Sequence, residues 1–268
     1  MSKPSSSIEA TPDPTAVAPA AEVWTDATPE SPEEAATFFQ ANGFLVLRNV
    51  LDESEVAHLR EEVDRIAANH EKLDRIREGF GFEANEDGGE RRLRKIGGIA
   101  DHSPAFNHLM RNPRILNLLH HLLGERLNLF RDVVMMKPAR VGREKPWHQD
   151  SVYWPWRPMQ LISVMTALDD ATVKNGCMQV IPGTHKQERQ HYGDELRLDI
   201  DAEEQKKAVY VPLAAGDTLF FHSLLLHASE PNTSEHDRRV AIFAYRPDNL
   251  EYIGKGEAPE PIVVSDRH

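Results

Sequence analysis

One cysteine, Cys177, in a chain of 268 residues excludes an internal disulfide and a cysteine-built metal cage, so any metal must be held by histidine and carboxylate. Basic charge is also short: 31 Lys and Arg stand against 43 Asp and Glu, a net charge of −12, with no long basic block. Nucleic acid and anionic membrane are thereby disfavoured as main partners, because both demand a cationic footprint. No apolar run approaches the roughly 18 residues of a membrane span, and the first residues lack the basic-then-apolar order of a secretory leader. A cytoplasmic protein without membrane insertion is the expectation. Aromatic residues are scarce at 7%, yet "KPWHQDSVYWPWRP" (145–158) concentrates Tyr153, Trp154 and Trp156 just after a histidine and an aspartate.

Residues 1–30 are rich in Pro, Ser, Thr and Ala and poor in large apolar groups, which predicts a disordered tail. The remainder, 31–268, is long enough for one domain with a sizeable core. Its first part, to about 126, reads as largely helical. Ser31 can cap and Pro32 open a helix that Gly43 stops, with Glu34 completing a capping box, and the strand "FLVLRNV" follows. Asp52 and Glu55 start "DESEVAHLREEVDRIAANHEKL", whose Val56, Leu59, Val63 and Ile66 recur at helical spacing. The charged, glycine-rich "EGFGFEANEDGGERR" predicts an exposed loop; "SPAFNHLMRN" and "NPRILNLLHHLLG" predict two further helices, each opened by proline. From about 127 to 248 the pattern turns to β-type runs: "LNLFRDVVMMKP", "QLISVMTALDD", "GCMQVIP", "AVYVPLAAGDTLFFH" and "RRVAIFAYRP". Short strands at such spacing predict a mainly β fold, an antiparallel barrel or jelly roll with the helices packed outside it.

Within the β region, His148 and Asp150 of "HQD" project to one side of an extended strand while Gln149 turns away. Alone the triplet is weak, since short motifs recur by chance. A second cluster strengthens it. "GDTLFFHSLLLHASEPNTSEHDRRVAIFAY" ends a strand in His222 and His227, then crosses a polar loop to a strand opened by Arg238 and Arg239. One more ligand from there would give two histidines and a carboxylate on one face of an octahedral ion with three positions open, the arrangement of non-haem Fe(II) oxygenases. Spacing leaves both histidines and both arginines available, because each face of "VAIFAY" is apolar.

Five segments in order, "FFQANGFLVLRNVL", "HQDSVYWPWRP", "NGCMQVIPGTHK", "GDTLFFHSLLLHASEPN" and the arginine after it, span most of residues 36–246 and resemble the phytanoyl-CoA dioxygenase family of Fe(II)- and 2-oxoglutarate-dependent oxygenases. The resemblance implies a double-stranded β-helix (a cupin-like jelly roll) with His148, Asp150 and His227 as metal ligands and His222 as a neighbouring histidine. It assigns 2-oxoglutarate to Arg238, eleven residues after the distal histidine, with Arg239 as the rival and Lys95 of "RLRKIGG" assisting. A guanidinium suits that task because it is always charged and grips a carboxylate with two parallel hydrogen bonds. The implied reaction consumes 2-oxoglutarate and dioxygen at iron, releases succinate and carbon dioxide, and hydroxylates an unactivated C–H of a small organic metabolite. Asp150 favours hydroxylation over halogenation, since related halogenases carry a small residue in its place. Tyr153, Trp154, Trp156 and Arg157 are expected at the mouth of the metal cup as substrate-binding residues, and His185 as a structural or pocket-lining histidine.

Two other functions compete with this one. A cupin-like metal-binding or sensing protein would share the shell but has no need of a carboxylate-clamping arginine. A hydroxylase of a protein side chain or nucleobase is disfavoured, in its nucleobase form, by the acidic balance. An acyl-CoA substrate would ask for a basic patch that the sequence does not display.

Overall fold

The computed structural model of the chain describes residues 31–70, 79–83, 92–191 and 198–267, so the tail expected at 1–30 lies outside the described residues. The helices are α1 (Pro32–Asn42), α2 (Glu53–Ala68), α3 (Pro104–Leu109), α4 (Pro113–Leu123) and the short α5 (Ala202–Gln205). Their starts follow local chemistry. The Ser31 side chain accepts from the Glu34 amide ahead of Pro32, and Asp52 forms a reciprocal capping box with Glu55. Gly43 ends α1 at φ 81, a conformation open to glycine at little cost. Asn112 caps α4, which buries Ile115, Leu118 and Leu119.

An eight-stranded sheet contains β1 (Phe44–Leu47), β2 (Phe80–Glu83), β3 (Arg92–Gly97), β4 (Arg126–Lys137), β7 (Ile162–Ala167), β10 (Thr218–His222), β12 (Arg238–Pro247) and β14 (Ile262–Asp266). Its order is β1-β10-β7-β12-β4-β3-β2, with β14 also on β4. A four-stranded sheet, ordered β5-β11-β8-β9, contains β5 (Lys145–His148), β8 (Met178–Val180), β9 (Val209–Val211) and β11 (His227–Ser229). The small pair β6 (Trp156–Arg157) and β13 (Glu251–Tyr252) stands apart. The recorded pairings are all antiparallel, and the chain forms a jelly roll, as the spacing of β-type runs predicts.

Three expectations need correction. The predicted exposed loop at 78–92 contains β2, which pairs with β3: Phe80 faces Ile96, and the His70 ring packs on Phe80 and Phe82. Its glycine and charge content misleads because Gly81 lies against the Lys95 stem, where a Cβ would sit 3.1 Å from the lysine Cβ. The first part is therefore not simply helical; β1, β2 and β3 all join the larger sheet. "AVYVPLAAGDTLFFH" is two strands in different sheets, β9 and β10, and the edge strand β14 lies beyond the predicted core.

Alternation along β12 organises the interior. Ala241, Phe243 and Tyr245 turn toward the helices and pack with Phe39, Val56, Ile66, Phe106 and Ile115. Burying one such ring or branched side chain stabilises by about 1.5–3 kcal/mol. Tyr245 also donates to the Met110 carbonyl at 2.7 Å, tying the end of α3 to the sheet. Val240, Ile242 and Ala244 turn the other way, onto a cavity between the two sheets.

Candidate metal and co-substrate site

His148 is the last residue of β5, and Gln149 continues extended at φ −118, ψ 130, so Asp150 returns to the same side as His148. Strand β11 places His227 directly opposite His148 as its cross-strand partner, with ring centroids 4.1 Å apart. Each histidine uses Nδ1 on its own backbone: His148 on the Pro146 carbonyl at 2.8 Å, His227 on the Leu225 carbonyl at 2.9 Å. A carbonyl only accepts, so both Nδ1 atoms carry the proton and both Nε2 lone pairs are free for a cation. They point at one oxygen: Asp150 Oδ1 lies 3.5 Å from His148 Nε2 and 3.7 Å from His227 Nε2. The three donor atoms fall within 4.8 Å of one another. Ser163 Oγ donates to the second carboxylate oxygen at 3.3 Å.

The electrostatics suit a cation. Burial would raise the Asp150 carboxyl, but His227 and His148 outweigh it and hold it below the usual carboxylate range. Burial, together with His148, favours the neutral form of His227. Two neutral imidazoles and one carboxylate on a common face match the donor set of a divalent iron with open positions.

His222 is not in this group. Its Nδ1 accepts from the Leu224 amide, its ring lies 5.3 Å from that of His185, and burial pushes its pKa down to about 4. His185 contacts the Gln40 carbonyl and lies against Gly43, outside the cavity lining. Gln149, expected to turn away from His148 and Asp150, does so and ties down three loop positions. Its Nε2 donates to the Gln187 and Leu224 carbonyls, and its Oε1 accepts from the Arg189 amide.

The cavity measures about 550 Å³. Arg238 also lines this cavity; it is 6% exposed, donates from Nη1 to the Gly176 carbonyl at 2.9 Å, and leaves Nε without a partner. Burial lowers it to about 10, so it stays charged at neutral pH. Arg239 points to the other face, where Asp169 grips it through Nε and Nη2 and Asp64 of α2 takes Nη1. Strand alternation thus separates the two arginines: one lines the cavity, the other fastens α2 to the sheet. Lys95 lines the cavity beside Met135.

Of the expected mouth residues, Tyr153 and Trp154 line the cavity. Tyr153 is 42% exposed, with its hydroxyl 3.1 Å from Lys145 Nζ. Trp156 and Arg157 do not line it. Trp156 is buried among Leu161, Ala244 and Leu250, with the Arg246 guanidinium 3.9 Å from its ring centre. Arg157 curls onto the Trp154 and Trp156 carbonyls. Pairing of β6 with β13 turns both away. The cavity wall also holds charged residues that the sequence reading did not single out, among them Glu83, Arg131 and Lys137. The signal available was alternation, since Arg131, Val133, Met135 and Lys137 share one face of β4.

Residues 39–240 match the family model for phytanoyl-CoA dioxygenase (PhyH). The chain belongs to this family. It is accordingly an oxygenase that works with Fe(II), 2-oxoglutarate and dioxygen. Human peroxisomal phytanoyl-CoA dioxygenase is 28% identical over 246 residues, covering 85% of this chain and 72% of the relative. Ectoine dioxygenase of Bordetella bronchiseptica is 27% identical over 254 residues, 85% and 80% of the two chains. Among solved structures, the non-haem α-ketoglutarate-dependent epimerase SnoN of nogalamycin biosynthesis superposes with a TM-score of 0.72 at 24% identity, covering 88% of this chain and 99% of SnoN. EctD from S. alaskensis with bound Fe also gives 0.72, at 23% identity and 91% coverage of each chain. Both similarities bear on the fold. Among the described residues, no helix is long and apolar enough to cross a membrane.

Proposed function

We propose that the chain hydroxylates a C–H bond of a small organic metabolite, with His148, Asp150 and His227 as the iron ligands and Arg238 and Lys95 as the residues that hold 2-oxoglutarate. The observation that carries this reading is the convergence of two Nε2 atoms and Asp150 Oδ1 on one point of a cavity that is also lined by a buried guanidinium without an acidic partner among the described residues. Iron, when bound, supplies the oxidising chemistry through 2-oxoglutarate and dioxygen. The chain's own groups do the rest. The two Nδ1–H bonds to backbone carbonyls keep the imidazoles in one tautomer and one orientation. Ser163 holds the Asp150 carboxylate at its free oxygen. Phe130, Trp154 and Tyr153 form the apolar wall on the histidine side, where they would orient substrate and exclude water.

A cation-rich wall narrows the substrate class. Seven Lys or Arg side chains against three carboxylates line the cavity of a chain whose overall balance is acidic. That excess favours a metabolite carrying an acidic group. It also supplies the basic patch that the sequence alone does not display. A binding or sensing protein would have no use for Arg238 in its buried, unpaired setting. The deciding experiment is dioxygen-dependent release of succinate from 2-oxoglutarate by the iron-loaded protein, joined to a mass-spectrometric screen of metabolites for the gain of one oxygen atom. Iron binding without succinate release would sink the hydroxylase reading.

A further inference from the structure

Lys137 ends β4 as the cross-strand partner of Arg238 and is 7% exposed on the cavity wall. Its Nζ donates to the carbonyl oxygens of Ser229, at 3.1 Å, and Glu230. No carboxylate pairs with Lys137 among the described residues, and none pairs with Arg238. Two buried cations on adjacent strands, each with neutral partners only, raise the free energy of the empty site. A neutral lysine amine fits this setting better than an ammonium. It has two N–H donors for two carbonyls and keeps a lone pair for the third tetrahedral direction.

We propose that Lys137 is a further cation of the 2-oxoglutarate cradle beside Arg238, a neutral amine in the empty site that takes a proton from solvent when the co-substrate's distal carboxylate arrives at Arg238. The proton adds to the Nζ lone pair, the carboxylate stays an anion and accepts the new N–H, and no covalent bond other than N–H forms. This rests on the assignment of Arg238 as the co-substrate clamp.

The surroundings support the protonation change. Burial, then Arg238, brings the Lys137 pKa down to about 7, with Glu230, Glu83 and Glu144 partly opposing. None of these three carboxylates reaches it: Glu230 accepts from Gln179, and Glu83 from the Arg143 amide. Cys177, raised to about 11 by burial, contributes no charge near neutrality. Lys95 and Arg143 also line the cavity. Gly176 keeps the pocket narrow: a Cβ there would lie 3.1 Å from Lys137 Nζ and collide with the Glu230 carbonyl.

The test is calorimetric titration of 2-oxoglutarate into the full chain loaded with Mn(II), in buffers of differing ionisation enthalpy at pH 6 and pH 8. An amine with a pKa of about 7 is mostly neutral at pH 8 and mostly charged at pH 6. Wild type should therefore take up close to one proton at pH 8 and only about a tenth of one at pH 6. Lys137→Met should take up none at either pH and bind about tenfold more weakly at pH 6. Binding by wild type without proton uptake at pH 8 overturns the proposal, as does undiminished uptake by Lys137→Met. Should that variant fail to fold by circular dichroism, the wild-type uptake at the two pH values decides alone. Absence of any 2-oxoglutarate binding would instead remove the clamp assignment beneath it.

Discussion

At the histidine end of the cavity, the donor groups come from two short strands and a turn, and each imidazole is fixed by a backbone carbonyl two residues before it. At the arginine end, the cations stand on the two longest strands of the larger sheet and are brought together by register, Arg238 against Lys137. At the first end the turn of each ring is fixed locally while the register of β5 on β11 sets His227 against His148; the second exists only when β4, β12 and the Gly176 turn are all in place. The local bonds keep the turn of each imidazole independent of the larger sheet. Construction by register links the Arg238–Lys137 pair to the stability of the larger sheet.

Substitutions can separate the two ends. The largest effect is expected from His148→Ala or His227→Ala. Loss of a partner one bond removed from a metal typically costs 10- to 100-fold, so loss of the ligand itself should lower iron retention and succinate release by roughly a hundredfold or more. Iron content after dialysis checks this, and a stoichiometric iron load in either variant would break the comparison. Next is Arg238→Gln, expected to raise the 2-oxoglutarate KM by about 2–4 kcal/mol, or roughly 30- to 1000-fold, with iron content unchanged. Ser163→Ala should weaken metal binding by about tenfold through the freed Asp150 oxygen, leaving 2-oxoglutarate affinity in the presence of saturating metal near wild type. The smallest effect on catalysis is expected from Arg239→Gln. It breaks the bonds to Asp169 and Asp64, lowers stability by about 1 kcal/mol in a thermal melt, and leaves KM alone.

The same division explains what could be read in advance. The helix starts were legible because caps are written in three or four consecutive residues, as at Asp52–Glu55. His148 and Asp150 were legible for the same reason, two positions apart on extended backbone. Choosing His227 over His222, and Arg238 over Arg239, needed either a family resemblance or the strand register, since both faces of β12 are apolar: one packs on helices, the other lines the cavity. Lys137 and Glu83 gain their meaning from neighbours far away in the chain, which no local pattern encodes. Trp156 sits as close to the motif as Trp154 does, yet pairing of β6 with β13 gives it to a separate cluster beneath Arg246.

Gln149, wedged between two ligand positions, is bonded by its side-chain amide to the main chain at 187, 189 and 224. It fastens the backbone between His148 and Asp150 to that of Arg189, whose side chain is 25% exposed and pairs with Glu204. A path of few hydrogen bonds thus joins the backbone between His148 and Asp150 to the outer surface.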